Sequence, residues 1–422
     1  MSYARIGSAN TYDNAVRNIS TRQSALSNLQ ENLTSGKRVV RPSDDPTSAA
    51  NAERALTRIS RITSNQRALE SQRNAIAQAE GTLGQVTDVL QRFRELVVSA
   101  GNAVNSSAER RSIAVELQGL RDQVYALANT QDTNGLPLFS ALGSALAPFV
   151  GPQASAPDYT FNGLPGQTAS SDVAIPFTLD GDAAFMHQPA RDGAYNVAVS
   201  TIPTDRTLTT NGVTVVQSSL VNGHSYEISF SAVGPGASPN TTTATYTIVD
   251  KTTNTSSLPV VIADFPSDQP LSLEISAEAN ATVNIPGLSL QITGTPANGD
   301  TVSITPDPSI FSVLDQAIKD IREAPNNNGA TQAVGQALHN IDIGMSRISA
   351  VRGQAGDLLN RADRISANQE NRSIQLESDR SRAEDLDMIK GISDFNNQQT
   401  GYQAALQTYA KVQQLSLFNF IS

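Results

Sequence analysis

Apolar residues near the start of the chain recur at helical spacing. One series, with members seven residues apart, consists of Tyr12, Ile19, Leu26 and Leu33. A seven-residue period indicates a helix that packs one face against a partner. Gly36 follows where a glycine commonly ends a helix, because glycine adopts the left-handed backbone conformation without a steric penalty. The pattern predicts a first helix that ends next to Gly36.

A longer series of sevens follows the first. Its members are Ala55, Ile62, Leu69, Ile76, Leu83, Leu90 and Val97. Such a regular seam predicts a long helix that needs a partner helix. A third helix is predicted next, because Ser106 and Glu109 have the spacing of a capping box, in which each side chain bonds the backbone N–H of the other residue. Asn134-Gly135 then predicts a turn.

Helical spacing returns after residue 306. A short helix is predicted over Leu314–Ile321, and the segment PNNNG at 325–329 interrupts it. A long apolar seam resumes over Val334–Ile365. Polar residues then dilute the seam, and it recovers from Leu386 towards the end of the chain.

Residues 141–306 lose the helical period. Apolar and polar positions alternate there in segments such as TLTTNGVTVVQ, HSYEISFSAV, TATYTIVD and LSLEIS. These segments are rich in Val, Ile, Thr and Tyr, and Gly, Pro and Asn separate them. The pattern predicts an antiparallel β region, formed either by one sandwich-like domain or by two small β units.

Two helical arms with unpaired seams therefore flank a β region. The simplest arrangement pairs the arms antiparallel, which predicts a multidomain α+β fold: a long antiparallel coiled-coil rod formed by both chain ends, with an inserted antiparallel β domain. The predicted parts are a terminal helix in 1–45 paired with 391–422, rod helices in 46–140 paired with 307–390, and the β domain in 141–306. We expect the terminal helix to be disordered in an isolated monomer.

The stretch GKRVVRPSDDP predicts a joint between the first two helices. Gly36 ends the first helix, and Pro42 biases the preceding residue towards extended backbone. Asp44 or Asp45 is expected to cap the second helix, and Pro46 suits its first position because no N–H is needed there. Both aspartates also interact favourably with the helix dipole. We interpret these five residues as a hinge and helix cap rather than as a catalytic carboxylate pair.

Charge and hydropathy exclude several partners. The net charge is −10, and residues 141–306 hold three basic and thirteen acidic residues. A nucleic-acid surface would need clustered Lys and Arg, so no nucleic-acid partner is expected. No apolar run reaches the roughly 18 residues that cross a bilayer, so no membrane insertion is expected. The first residues also lack the apolar core of a secretory signal peptide.

No catalytic, cofactor or metal site is predicted. The chain has no Cys, which removes thiolate nucleophiles and thiolate ligands. His187, His224 and His339 are scattered and form no HExxH spacing. No glycine-rich phosphate loop precedes a helix. We therefore expect a protein that is not an enzyme and has no cofactor.

The chain closes on the apolar segment LSLFNFI. Its large side chains are Leu415, Leu417, Phe418 and Phe420. They end a helix whose predicted partner is the N-terminal helix, which is polar and has few large apolar side chains. Too little apolar surface is therefore available to cover them within one subunit. We predict that they contact another subunit or an export chaperone. Docking within the same chain is the alternative.

Several of these motifs occur together in the flagellin superfamily. The joint SGKRVVRPSDDPTSAANA, the segment LANTQDTNG before LFS, and the ending KVQQLSLFNFI resemble that superfamily and, within it, the hook-associated proteins of the hook–filament junction. The PSDDP form and the LSLFNFI ending favour junction proteins over flagellin itself. One departure is the segment from Leu136 to Gly143, which we expect to fold differently here.

The resemblance implies a structural subunit of the bacterial flagellum that joins hook to filament, assembled as a ring through its terminal helices. The implied partners are other copies of the chain, an adjacent hook-associated protein, flagellin and a cytoplasmic export chaperone. The implied location is the extracellular flagellum, reached by type III export without a cleaved signal peptide. Two alternatives remain: a flagellin filament subunit, and a filament protein that carries an adhesive or enzymatic β module.

Overall fold

The computed structural model describes residues 8–155, 157–202, 207–276 and 285–421. The side chains of residues 8–12, 412 and 414–421 lie outside this description. The described helices are α1 (Ser8–Ser35), α2 (Pro46–Ala100), α3 (Ser107–Ala128), α4 (Gly181–Phe185), α5 (Pro189–Asp192), α6 (Ile310–Glu323), α7 (Asn327–Glu384) and α8 (Met388–Ile421).

The described strands lie between α3 and α6. They are β1 (Phe149–Val150), β2 (Thr160–Phe161), β3 (Tyr195–Ser200), β4 (Thr209–Thr210), β5 (Thr214–Val215), β6 (Tyr226–Pro235), β7 (Thr241–Asp250), β8 (Thr255–Ser256), β9 (Val260–Pro266), β10 (Leu271–Ser276), β11 (Leu288–Gly294) and β12 (Thr301–Pro306). Helical regions at both chain ends therefore flank an inserted antiparallel β region, and the predicted fold class is confirmed.

The long helices form where the seven-residue pattern predicts them. All seven members of the α2 series, from Ala55 to Val97, are buried. The N-terminus of α3 has both hydrogen bonds of the predicted capping box between Ser106 and Glu109. The PNNNG segment separates α6 from α7, also as predicted. None of the described helices is both long and apolar enough to cross a membrane.

The chain divides into two compact units, residues 1–68 with 365–422 and residues 69–364. In the second unit, α2 and α7 are antiparallel. Three ion pairs show this direction, because the residue numbers increase along α2 while those of the partners in α7 decrease. The pairs are Arg73–Asp363, Glu80–Arg352 and Arg94–Asp342. All three pairs are partly exposed, so they define the pairing more than they stabilise it.

The β region of the second unit is one two-sheet sandwich. One sheet has the strand order β3-β12-β6-β7-β8, with β9 also paired to β7, and the other has the order β10-β11-β4, with β5 also paired to β11. Side chains from both sheets, including Ile228, Ile248, Leu290 and Ile304, share a single core. Of the two arrangements that the sequence allowed, the structure therefore has the single sandwich.

Residues 141–194 contain little regular β structure. They hold the two-residue strands β1 and β2 and the short helices α4 and α5. The segment is held instead by aromatic packing around Phe311 of α6, whose ring centroid lies 5.2–5.8 Å from those of Tyr125, Phe149, Tyr159 and Phe185. The sandwich thus begins at β3, about fifty residues later than the predicted start of the β domain.

Candidate assembly site

The first unit contains the predicted joint between α1 and α2. Gly36 directly follows α1 and has φ +70°, in the left-handed region. Pro42 is the second residue of a turn in which the Asp44 N–H donates to the Arg41 carbonyl over 2.9 Å. Proline favours that position because its ring fixes the backbone angle that the turn needs. Pro46 is the first residue of α2.

The two aspartates of the joint have different partners. Asp44 accepts hydrogen bonds from the N–H groups of Val40 and Arg41, at 3.2 and 2.8 Å, and so holds the turn before the helix. Asp45 accepts from the Ser48 N–H at 3.1 Å, which is the geometry of a helix cap. Its hydrogen bonds with Ser48 hold the pKa of Asp45 down at about 2. Of the two, Asp45 therefore caps α2.

A second segment, at the break between α7 and α8, pairs with the joint. The N–H groups of Arg38 and Val39 donate to the Glu384 carbonyl at 2.7 and 3.3 Å, and the Leu386 N–H donates to the Gly36 carbonyl at 2.9 Å. Lys37 and Asp385 form an antiparallel bridge between the segments. The two breaks in the helical arms thus lie side by side and are joined by backbone hydrogen bonds.

Charged side chains reinforce this pairing. Lys37 forms an ion pair with Glu384, whose side chain is mostly buried. The Arg38 guanidinium contacts Asp45 at 3.2 Å and donates to the Ala383 carbonyl at 2.8 Å, so it links the start of α2 to the end of α7. These contacts connect the N-terminal joint to the C-terminal break.

Sequence reasoning missed the C-terminal partner of the joint. This partner segment ends at Asp387, the residue before α8. The Asp387 carboxylate accepts hydrogen bonds from the N–H groups of Ile389 and Lys390, at 3.1 and 3.2 Å, and so caps α8. An aspartate followed by a resumed apolar pattern is a recognisable helix start. The pairing itself joins residues almost 350 positions apart, and no local pattern reports that.

Beyond the joint, α1 packs along α8 in antiparallel direction. A Cβ atom added to Gly391 would lie 3.1 Å from Leu33, and one added to Gly401 would lie 2.6 Å from Arg22. The absence of a side chain at Gly391 leaves room for Leu33, and at Gly401 it leaves room for the end of the long Arg22 side chain. The side chains of Leu415, Leu417, Phe418 and Phe420, which the sequence predicts as contact residues, lie outside the described residues.

The three histidines, all in the second unit, have different environments. His187 is buried between groups of opposite charge; burial lowers its pKa to about 4, Asp192 opposes this shift, and Arg191 and Arg347 add to it. His224 Nδ1 lies 2.7 Å from an oxygen of Asp250, and His339 Nε2 lies 2.9 Å from the Val213 carbonyl. Across the described part of the chain, no group of three or more His, Cys, Asp or Glu residues could hold a metal ion.

Comparison with known proteins agrees with this architecture. The model of the bacterial flagellin N-terminal helical region matches residues 6–143, and that of the C-terminal helical region matches residues 338–421. The two matches together cover more than half of the chain, which therefore belongs to the flagellin family.

Within that family, the chain is similar to proteins of the hook–filament junction. It is 35% identical over 154 residues to flagellar hook-associated protein 3 of Salmonella typhimurium, and 38% identical over 141 residues to that of Escherichia coli. These alignments take in 34% and 33% of this chain and 46% and 44% of the relatives. The chain thus spans less than half the length of either curated relative.

A solved structure extends the similarity beyond the helical arms. The flagellar junction protein FlgL from Legionella pneumophila has 25% sequence identity and a TM-score of 0.55, over 74% of this chain and 98% of that chain. The resemblance to junction proteins that the joint and the C-terminal motif indicate is thereby confirmed.

Proposed function

We propose that this chain is a structural subunit of the bacterial flagellum that joins hook to filament, and that it assembles as a ring through its terminal helices. It acts as a building block and not as an enzyme. The names of its relatives support this role. The observation that carries the proposal is the poor burial of α1 and α8 within the single chain.

The α1/α8 pair has almost no core of its own. Among the residues whose burial is described, none of α1 is buried, and in α8 only Gly391, which has no side chain, is buried. Apolar residues remain open to solvent, with Ile389 85% exposed and Ile392 50% exposed. Two helices alone cannot surround such side chains, and helix stability in proteins comes largely from packing. Other copies of the chain are the proposed cover.

The joint suits a subunit that must fit two different neighbours. Between α1 and α2 the chain is not helical, and the links across the joint are backbone hydrogen bonds and partly exposed ion pairs. The pairing of Gly36 with Leu386 couples both helical breaks. We propose that Gly36, Pro42, Asp44, Asp45 and Pro46 form a hinge that lets α1 and α8 change direction together.

The proposed partners are other copies of the chain, an adjacent hook-associated protein and flagellin. A cytoplasmic chaperone is proposed to hold the C-terminal arm, including Leu415, Leu417, Phe418 and Phe420, before type III export to the extracellular flagellum. These partners rest on the family resemblance. The apolar side chains left exposed on α8 support the need for them.

Deletion of the gene tests the role. We expect hooks without attached filaments and flagellin released into the medium, with both defects reversed by the wild-type gene. Complementation with Ile389→Asp should fail, because a charge would enter the subunit interface. Val261→Asp is the matched control on the sandwich, where Val261 is 59% exposed, and it should complement. Normal filaments in the deletion strain would refute the role, and spontaneous growth of the purified chain into long filaments would indicate a filament subunit.

A further inference from the structure

A small cavity lies in the second unit, where the sandwich meets the helices. Strand β3, the end of β12, α6 and α7 surround it, and its volume is about 10 Å³. A space of this size holds about one water-sized particle. Its polar lining consists of Asn196, Asp307, Gln316, Asp320, Gln336 and Asn340.

The amide groups of the lining are oriented by their own hydrogen bonds. Gln336 Nε2 and Asn340 Nδ2 each donate to the Tyr195 carbonyl at 2.9 Å, and Asn340 Nδ2 also donates to Asp307 at 3.0 Å. Turning either amide around would lose these bonds. The opposite ends, Gln336 Oε1 and Asn340 Oδ1, are buried without a partner, as is Asn196 Oδ1. Three acceptor oxygens thus belong to residues that line one cavity and meet no donor.

Two carboxyl groups complete the lining. Burial and the nearby charges of Asp158 and Asp320 raise the pKa of Asp307 to about 7, and burial raises the pKa of Asp320 to about 6. Asp307 is 7% exposed. Neither carboxylate forms a salt bridge with a described residue, and a buried carboxylate without a cation is costly.

We infer that this cavity binds one divalent cation of the Ca²⁺ type, through carboxylate oxygens of Asp307 and Asp320 and amide oxygens of Asn196, Gln336 and Asn340. An all-oxygen donor set is what Ca²⁺ prefers, and the two carboxylates balance its charge. Mg²⁺ is disfavoured, because it keeps several waters that the cavity has no room for. Zn²⁺ favours His and Cys ligands, which the lining does not contain.

A single water is the main rival occupant. Water has two hydrogens, so it satisfies at most two of the three amide oxygens unless a protonated carboxyl group supplies another donor. A cation would satisfy all three together with both carboxylates. Its ligands would come from β3, from the residue after β12, and from α6 and α7. The cation would therefore link the sandwich to the helices of the same unit.

Calorimetric titration of the full-length chain tests the site. After removal of metals with a chelator, CaCl2 should bind with one ion per chain at pH 7.5, and MgCl2 should bind at least tenfold more weakly. At ten times the dissociation constant, Ca²⁺ should raise the Tm by about 2 °C. Tb³⁺ luminescence, excited through Tyr195, should appear and be displaced by Ca²⁺.

Substitutions in the lining identify the ligands. The double variant Asp307→Asn, Asp320→Asn should fold, because it removes two buried charges, and should lose Ca²⁺ binding. Asn196→Ala keeps both carboxylates and should weaken binding about tenfold. Asp342→Asn, on the exposed face of α7, is the control and should bind as wild type. Wild-type chain that binds no Ca²⁺ up to 10 mM would overturn the inference in favour of water, and equal binding after the double substitution would overturn it in favour of a Ca²⁺ site elsewhere.

Discussion

Replacement of Gly36 by alanine tests the joint by changing its backbone alone. Gly36 has φ +70°, and a Cβ atom there would have no neighbour within 4 Å. The substitution therefore costs only the left-handed conformation, about 1–2 kcal/mol, and the lower entropy of the unfolded chain returns part of this. We expect a net loss of about 1 kcal/mol, confined to the pairing of the joint with residues 384–386.

Gly81→Ala is the matched control. Gly81 lies inside α2, and a Cβ atom there also has no neighbour within 4 Å, but its φ lies outside the left-handed region. Alanine should stabilise this position by up to about 1 kcal/mol, because it is the better helix former. The two variants differ in backbone conformation and not in packing, so they should shift stability in opposite directions.

Amide hydrogen exchange measures the effect where it arises. The Leu386 N–H donates to the Gly36 carbonyl and the Arg38 N–H donates to the Glu384 carbonyl. A loss of about 1 kcal/mol should speed exchange of both amides roughly fivefold in Gly36→Ala and leave it unchanged in Gly81→Ala. Unchanged or slower exchange of both amides in Gly36→Ala would refute the claim that the left-handed backbone conformation at this position requires glycine.

Three further predictions concern packing, charge and pH. Phe311→Ala opens a cavity among four aromatic rings, so it should lower the free energy of unfolding of its unit by about 3–5 kcal/mol. Urea denaturation followed by the near-UV circular dichroism of tyrosine measures this loss. As a control, Phe177→Ala should cost less than about 1 kcal/mol, because Phe177 is half-exposed. A double-mutant cycle of Lys37→Ala and Glu384→Ala should give a coupling of about 0.5–1 kcal/mol that falls in high salt; no coupling would contradict the ion pair. Folding holds the pKa of His187 near 4, below its ordinary 6.5, so the unfolded chain binds the proton more readily and the contribution of His187 to stability should fall by about 3 kcal/mol as pH drops from 6.5 to 4, while Asp307 and Asp320, whose pKa values are raised, contribute in the opposite direction. His187→Gln should remove this part of the pH profile, and an unchanged profile would contradict it.

The helical arms could be predicted because their pattern is local. The seven-residue series of α2, the capping box at Ser106 and the break at PNNNG each need only nearby residues, and the structure has all three. Most of the alternating segments form strands for the same reason. Strand β3 also lies within the predicted β region.

The contacts that shape the molecule come from residues far apart in the chain. The aromatic cluster around Phe311 draws on α3, β1 and α4 as well as the segment before β2. Only 5% of the residues are aromatic, yet several of them gather here. The oxygen-lined cavity could not be predicted either, because its lining residues run from Asn196 to Asn340 and form no local sequence motif.

The most direct test of the account uses the absence of cysteine from the chain. A single Ile389→Cys substitution gives one reactive thiol on α8, at a position that is 85% exposed in the single chain. We predict rapid maleimide labelling of the purified monomer and at least tenfold slower labelling in assembled flagella, while Val261→Cys reacts equally in both. Equal labelling of Ile389→Cys in monomer and flagellum would contradict the claim that neighbouring copies cover the terminal helices.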